Sequence, residues 1–344
     1  MEDQRVRTIL KAIWPRILTF PPPEPSRITP PHATTGSTGF VKHFDISLII
    51  PAFQVSVEEM KHLLQYTLDQ CQSPQTIQVI VAEVVVMGHN NKHDDDDDED
   101  PVGPIGEGLA NGILVGSPIN APGGFGEVQV ISYCGSQGRG GCLNHGARQA
   151  SGRILTFLHA DTFLPRHWDS AIRQALHPTT YLGNDRTGPI ATTTTTTMCA
   201  FSMGIDMSPF QSGKVPVPVG LWGADHILGT IRCSLCKLPY GDSVLSIPTH
   251  IFEYLGGYPE QPLMEDFELV QLLRKRAALL FPKEQITILP DRIACSPRRW
   301  QSLGVAYVIL ANAYCIYRYR LLKAPSEEIF EFYYGVRRVG EVTR

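Results

Sequence analysis

The sequence is poor in charge and contains no long apolar run. Lys, Arg, Asp and Glu make up 19% of its 344 residues, below the roughly 25% of an average soluble domain, so a disordered chain held open by its charge is excluded. A membrane-spanning helix needs about 18 or more consecutive apolar residues, and none occurs. The longest candidate, residues 304–317, is about 14 residues long, is interrupted by Asn312 and is followed by Arg318 and Arg320. It is expected to dock on a domain, with a helix lying on a membrane surface as the alternative. A basic excess is missing as well. The formal net charge is -4, and Asp94–Asp100 alone carries seven acidic side chains, which leaves the rest of the chain at about +3. That excludes a broad nucleic-acid footprint and leaves room for a local basic pocket for one phosphorylated ligand. The start also lacks a secretory pattern. The eight cysteines are therefore expected to be reduced thiols of a cytoplasmic protein. Arg5, Arg7, Lys11 and Arg16 resemble a transit peptide, but Glu2 and Asp3 oppose it, so organelle targeting stays open. Cys233 and Cys236 have half of a zinc spacing with no second half, and are expected to be structural.

What the chain does have is 43% hydrophobic residues and a mean hydropathy of -0.07, enough for a sizeable core in one large α/β domain or a domain pair. Residues 1–44 form an extension and linker, with Pro21-Pro22-Pro23 opening a Ser/Thr/Gly-rich stretch. Residues 45–300 read as the main domain, and 301–344 as a helical segment packed on it. Ile46–Ile50 and Ile77–Val86 are β-branched strand runs around a helical pattern at Val57–Gln70, the start of a parallel sheet. Residues 88–126 turn acidic, then rich in Gly, Pro and Asn, and are expected to be a disordered surface insertion. Strands follow at Glu127–Tyr133 and Arg153–Leu158, with a helix from about Gly141 to Ala150 between them. The low-complexity run Thr192–Thr197 leads into a strand at Met198–Ile205, Asp266–Arg276 is helical, and Ile286–Leu289 is a short strand. The aromatic residues after Ser302 are expected to cover the domain.

Ligands of open parallel sheets sit outside the carboxyl ends of the strands, so the residues that follow each strand are the candidates. The first strand ends in Pro51-Ala52-Phe53 and the second contains Glu83; the third leads to Gly138-Arg139-Gly140-Gly141, whose backbone N–H groups and guanidinium suit an anion. The fourth ends in His159-Ala160-Asp161, a carboxylate placed either to hold a hard cation against phosphates or to cap the next helix. Glu265-Asp266 opens a helix on the same stripe as Leu269, Val270 and Leu273; such a pair suits dipole complementarity or general-base work. Arg298-Arg299-Trp300 offers cationic forks for a diphosphate.

In this order the blocks resemble the family 2 glycosyltransferases, and within them the subgroup associated with radical-SAM/selenodomain genes. The blocks are 46–53, Gly138-Arg139 through Leu143-Asn144-His145-Gly146-Ala147, 154–162, Leu238-Pro239-Tyr240-Gly241-Asp242, 255–258, 262–269 and Ser296-Pro297-Arg298-Arg299-Trp300. The resemblance implies a GT-A fold, a mostly parallel α/β sheet flanked by helices with a helical C-terminal part. It implies a metal-dependent, inverting transfer of a sugar from a nucleoside-diphosphate sugar to an acceptor hydroxyl. Asp161 would hold the divalent metal, Mn²⁺ or Mg²⁺, with His159 beside it; Asp266 would be the base, paired with Glu265. Pro51, Ala52, Arg139 and Asn144 would contact the nucleoside, and Glu83 would bind the donor in place of the first aspartate of the family's base- and ribose-gripping segment. Asp242 would line the donor sugar or acceptor pocket, Arg299 with Arg298 would stabilise the departing diphosphate, and Trp300 would pack over or beside it. No nucleic-acid partner is implied, and contact with a membrane surface through the C-terminal helices is kept as an alternative.

Two departures stand out. The family's D-G-S-T-D type segment after the second strand is replaced by Glu83-Val84-Val85-Val86-Met87-Gly88 and the acidic insertion, and Ser296 stands where many relatives have glutamine. A non-catalytic relative that only binds a nucleotide sugar or a partner is therefore the second reading, and a nucleotidyltransferase the third.

Overall fold

The computed structural model describes residues 44–85, 105, 124–135, 138–176, 196–211, 215–280 and 285–334. The expected linker before residue 44 and nearly all of the expected insertion lie outside them.

The sheet is seeded by two apolar strands, β1 (Phe44–Ala52) and β2 (Ile77–Val84), paired in parallel from Ile46 opposite Ile77 to Ala52 opposite Glu83. Both are almost wholly buried, as strands covered on two faces must be, and this explains why apolar residues fall on both faces of each instead of alternating with polar ones. Between them, α1 (Val57–Asp69) starts at Ser56, whose side chain and that of Glu59 close a reciprocal capping box. Then come β3 (Glu127–Tyr133), α2 (Gly138–Arg148), β4 (Gly152–Phe157), β5 (Thr162–Phe163), α3 (Trp168–Leu176), β6 (Thr196–Ser202) and α4 (Ser208–Gln211). The helix α5 (Leu221–His226) runs on into a π-helical segment, Ile227–Leu235. β7 (Leu245–Pro248), α6 (Thr249–Leu255), α7 (Glu265–Leu280), β8 (Gln285–Arg292) and β9 (Ala294–Cys295) follow. The C-terminal part is α8 (Arg298–Leu303), α9 (Val305–Arg320) and α10 (Ser326–Tyr334).

Seven strands form one sheet in the order β3-β2-β1-β4-β7-β6-β8, and β5 with β9 make a small second ladder. All neighbours in the large sheet are parallel except β7, which is antiparallel to both β4 and β6. Because side chains alternate along a strand, β1 feeds two cores. Ile46, Leu48 and Ile50 pack with Met60 and Leu64 of α1 and Trp168 of α3, whereas Ile49 packs with Leu143 of α2, Phe252 of α6 and Phe267 of α7. Helices thus cover both faces, the expected α/β class.

The structure differs from the sequence expectations in a few places. The strand expected at Met198–Ile205 begins at Thr196 and ends at Ser202, and α7 runs on to Leu280. Inside the expected insertion, Ile105 is buried and its N–H donates to Glu83 at 2.9 Å, so a buried carboxylate at the end of β2 takes a backbone donor from that stretch. Among the described residues no helix is long and apolar enough to cross a membrane.

Candidate functional site

Three topological facts build one cavity at the carboxyl edge of the sheet. First, β4 leads through Leu158 to His159-Ala160-Asp161. Second, β7 runs opposite to β4 with Phe157 facing Leu245, so the segment entering β7 lies beside the segment leaving β4. This places Tyr240, Gly241 and Asp242 against His159. Third, β9 pairs with β5, Thr162 facing Cys295, and Ser296 N–H donates to the Asp161 carbonyl at 3.0 Å. That contact brings Ser296 through Trp300 to the same place. The resulting cavity, about 270 Å³, is lined by Arg139, His159, Asp161, Arg232, Asp242, Asp266 and Arg299 together with aromatic and apolar side chains.

The acidic pair is held from two sides. Glu265 is buried, and its Oε1 accepts a hydrogen bond from Arg139 Nε at 2.5 Å; Arg139 Nη2 lies 3.4 Å from Asp266 Oδ2. Burial pushes the Glu265 carboxyl up, and the opposing charge of Arg139 does not fully offset it. Its Oε2 is buried without a hydrogen-bond partner. Asp266 sits in the first turn of α7, where the helix dipole favours an anion; Oδ1 accepts from Phe267 N–H at 2.7 Å and Oδ2 from Gly241 N–H at 2.8 Å. Gly241 is needed here because a Cβ would sit 2.6 Å from His159 Nε2 and 3.2 Å from Asp266 Oδ2. Gly140 meets a similar constraint, since a Cβ there would collide with the Pro259 carbonyl at 2.7 Å and crowd the Glu265 side chain at 3.2 Å.

On the opposite wall, Arg232 grips Asp242 with two hydrogen bonds, Nη2 to Oδ1 at 2.6 Å and Nη1 to Oδ2 at 2.9 Å, and lies 4.6 Å from the centre of the Tyr240 ring. Burial alone would raise the Asp242 carboxyl, but this guanidinium outweighs it and holds the group below its usual range. His159 is depressed to about 4 by burial and by the positive charge of Arg139, so its imidazole is neutral at physiological pH. Arg299 stacks on Tyr333, 3.8 Å from the ring centre, and its Nε is buried with no partner.

Of the residues singled out from sequence, Asp161, His159, Asp242, Asp266, Arg139, Arg299 and Trp300 line the cavity, and Glu265 lies directly behind it on Arg139. The others are placed elsewhere. Arg298, one helical step from Arg299, is exposed and reaches Glu59 at 3.7 Å. Asn144 is buried, and both ends of its amide are taken by the backbone of Tyr258 at 2.8 and 2.9 Å. Pro51, Ala52 and Glu83 end β1 and β2 outside the cavity lining. Cys233 is buried near Ser243 and Cys236 is a free thiol, and among the described residues no metal-ligand cluster gathers round the pair. Tyr333 and Tyr334, expected only to cover the domain, line the cavity. Arg232 was missed altogether; no periodic pattern marks it, because a π-helical segment carries it to Asp242.

The donor set suits one kind of metal site. Among the described residues no three His, Cys, Asp or Glu side chains gather as a full ligand set. Asp161 is exposed in the cavity, and its carboxylate makes no hydrogen bond or ion pair with another described residue. One carboxylate with substrate phosphates and waters completing the shell is how Mg²⁺-like ions are commonly bound. Asp161 could therefore hold a divalent ion whose other ligands would have to come from outside the protein.

No protein-family model matches the chain, and no curated protein does. Among solved structures, the fold is similar to the mannosyltransferase PcManGT from Pyrobaculum calidifontis in complex with GDP-Man and Mn²⁺, with 13% identity, a TM-score of 0.49, and coverage of 95% of this chain and 76% of that one. It is also similar to S. aureus TarS 1-349 in complex with UDP-GlcNAc, with 14% identity, a TM-score of 0.42, and coverage of 86% and 74%.

Proposed function

We propose that the chain is a metal-dependent, inverting glycosyltransferase that moves a sugar from a nucleoside-diphosphate sugar to an acceptor hydroxyl. The observation that carries this reading is the convergence on one cavity of an unengaged carboxylate, Asp161, a helix-terminal carboxylate, Asp266, and two guanidinium groups, Arg139 and Arg299. Asp161, with neutral His159 beside it, would hold a divalent ion, Mn²⁺ or Mg²⁺. When bound, such an ion supplies Lewis-acid neutralisation of the diphosphate.

The protein's own side chains account for the rest. An ionised carboxylate has about four lone-pair sites. Asp266 spends sites on the Phe267 and Gly241 N–H groups and on the longer Arg139 contact, which leaves capacity for an acceptor hydroxyl. In the transfer, the acceptor oxygen bonds to the anomeric carbon from the face opposite the leaving group, its proton passes to Asp266, and the bond from that carbon to the diphosphate oxygen breaks. The configuration inverts. Arg299, held flat on Tyr333 with one N–H unspent, meets the negative charge that grows on the departing nucleoside diphosphate. Arg139 keeps Glu265 and Asp266 together, so its role is positioning.

A panel of nucleoside diphosphates and sugar nucleotides, with and without Mn²⁺, tests the reading through thermal stabilisation, since a ligand selective for the native state raises its stability. The expected result is a metal-dependent rise with one nucleotide that is lost in Asp161→Ala, and release of free nucleoside diphosphate on turnover. Release of pyrophosphate would identify a nucleotidyltransferase, and binding without turnover a non-catalytic relative.

A further inference from the structure

We propose that the outer face of α9 is the surface through which two copies of this chain pair. Before Arg318 the helix carries a single amide, Asn312, which lines the cavity, and is otherwise free of strongly polar side chains. Its inner side, Val308, Ala311 and Cys315, is buried in the domain, and the residues it exposes before Arg318 are only Ala306, Tyr307, Leu310, Ala313, Tyr314 and Tyr317. A surface helix ordinarily turns a polar face to water, and one that is apolar all round is ordinarily covered. On α9 and its C-terminal cap the large side chains run Tyr307, Leu310, Tyr314, Tyr317 and Leu321, exposed by 50, 68, 44, 49 and 44% respectively. Their spacing alternates four and three residues, a period of about 3.5, which marks a seam that packs on another helix.

Charge and area favour a second copy over a lipid surface. A helix that lies on a membrane carries a basic polar face. Here Arg318 is tied to Glu328 at 2.6 Å and Arg320 is buried, so Lys323 is the one exposed base from α9 to α10 among the described residues, against exposed Glu327, Glu328 and Glu331. Those acids repel an anionic surface. With large side chains offering about 150–250 Å² each and about half of that exposed, the five present about 500 Å² and Trp222, 65% exposed, brings the patch to about 600 Å² per copy. Two copies together bury about 1,200 Å², above the roughly 1,000 Å² that a specific interface needs. Val219 and Trp222, 96 and 65% exposed, extend the patch at the N-terminal end of the helix, where Gly220 abuts Val305. An isologous, antiparallel pairing about Leu310 and Tyr314 satisfies two-fold symmetry.

Sedimentation of the full chain tests this. At about 50 µM, above the micromolar Kd that weak interfaces of standard size show, the wild type is expected as a dimer whose mass falls toward the monomer on dilution. Leu310→Glu and Tyr317→Glu are expected to weaken pairing at least about tenfold, by placing a charge in the seam, with melting curves confirming that both remain folded. Lys61→Glu, an exposed change on α1, is expected to leave the dimer unchanged. A wild type that stays monomeric at every concentration overturns the proposal. So does a monomer that floats with phosphatidylcholine/phosphatidylserine vesicles, which would make lipid the occupant. Because the readout is mass, it is independent of whether the cavity transfers sugars.

Discussion

Replacing Arg139 by methionine should destabilise the protein in a way that depends on pH. Glu265 is 1% exposed and its Oε2 has no partner; Arg139 supplies the hydrogen bond on Oε1. Removing one partner of a buried ion pair costs about 3–5 kcal/mol, because the remaining charge is uncompensated. Arg139 is itself 34% exposed, which places the expected loss near the lower end, about 3 kcal/mol. At about 2 °C per kcal/mol for a chain of this size, the melting temperature should fall by about 6 °C. Burial already raises the Glu265 carboxyl, and without the guanidinium it rises further. A group whose folded pKa lies above its unfolded value contributes stability at low pH and loses it as pH rises through the folded value. The penalty of Arg139→Met should therefore be larger at about pH 8 than at about pH 5, because protonation of Glu265 relieves it as the pH falls. Denaturant unfolding of Arg139→Met, Glu265→Gln and the double variant at both pH values forms the assay. The double variant is expected to recover about 2 kcal/mol of the single loss, since no buried charge is left alone. A loss below about 0.5 kcal/mol, or an equal loss at both pH values, would refute the assignment of Arg139 as the counter-charge of a buried carboxylate.

Further expectations concern chemistry and pH. Asp266→Asn should lower kcat by about 10²–10⁴-fold, the usual scale for a general base, with donor binding unchanged in a thermal-shift titration; undiminished turnover would remove Asp266 from the mechanism. Arg299→Ala should weaken nucleoside-diphosphate binding by about 2 kcal/mol, read by calorimetry, because one charge-assisted contact is lost. Asp169, fully buried, accepts from Gln72 N–H, Ser73 N–H and Arg173. Burial would raise its pKa, but these donors outweigh it and hold it below 3.8. It should therefore contribute stability above about pH 4 that is lost as pH falls through its folded value. Urea unfolding of Asp169→Asn should show a weaker protein at neutral pH with a flatter acid limb.

Much of the architecture was legible because burial on both faces leaves a plain mark. Ile46–Ile50 and Ile77–Val84 carry apolar residues on both faces, and their parallel pairing followed from the helix between them. The acidic residues at strand and helix ends were legible for a similar reason: Asp161 follows an apolar strand and Asp266 opens a strong helix. The partners were not. Arg139, read as a nucleoside contact, is the counter-ion of Glu265. Arg298 and Arg299 are adjacent in sequence, but one helical step sends the first to Glu59 and the second to the cavity. Asn144 fell in a resembling block, yet its amide is consumed by the backbone of Tyr258.

The sequence by itself determined the strands and helices, the two apolar faces of the sheet and the chemical types that could form a site, because these rest on local periodicity and on the cost of exposing apolar surface. The tertiary structure alone decided which of those groups meet. The antiparallel entry of β7 sets Asp242 beside His159, the β5–β9 ladder brings Arg299 to Asp161, and a π-helical turn delivers Arg232. Each of these meetings depends on strand order and direction, and pairings between residues tens of positions apart leave no mark in the spacing of either segment.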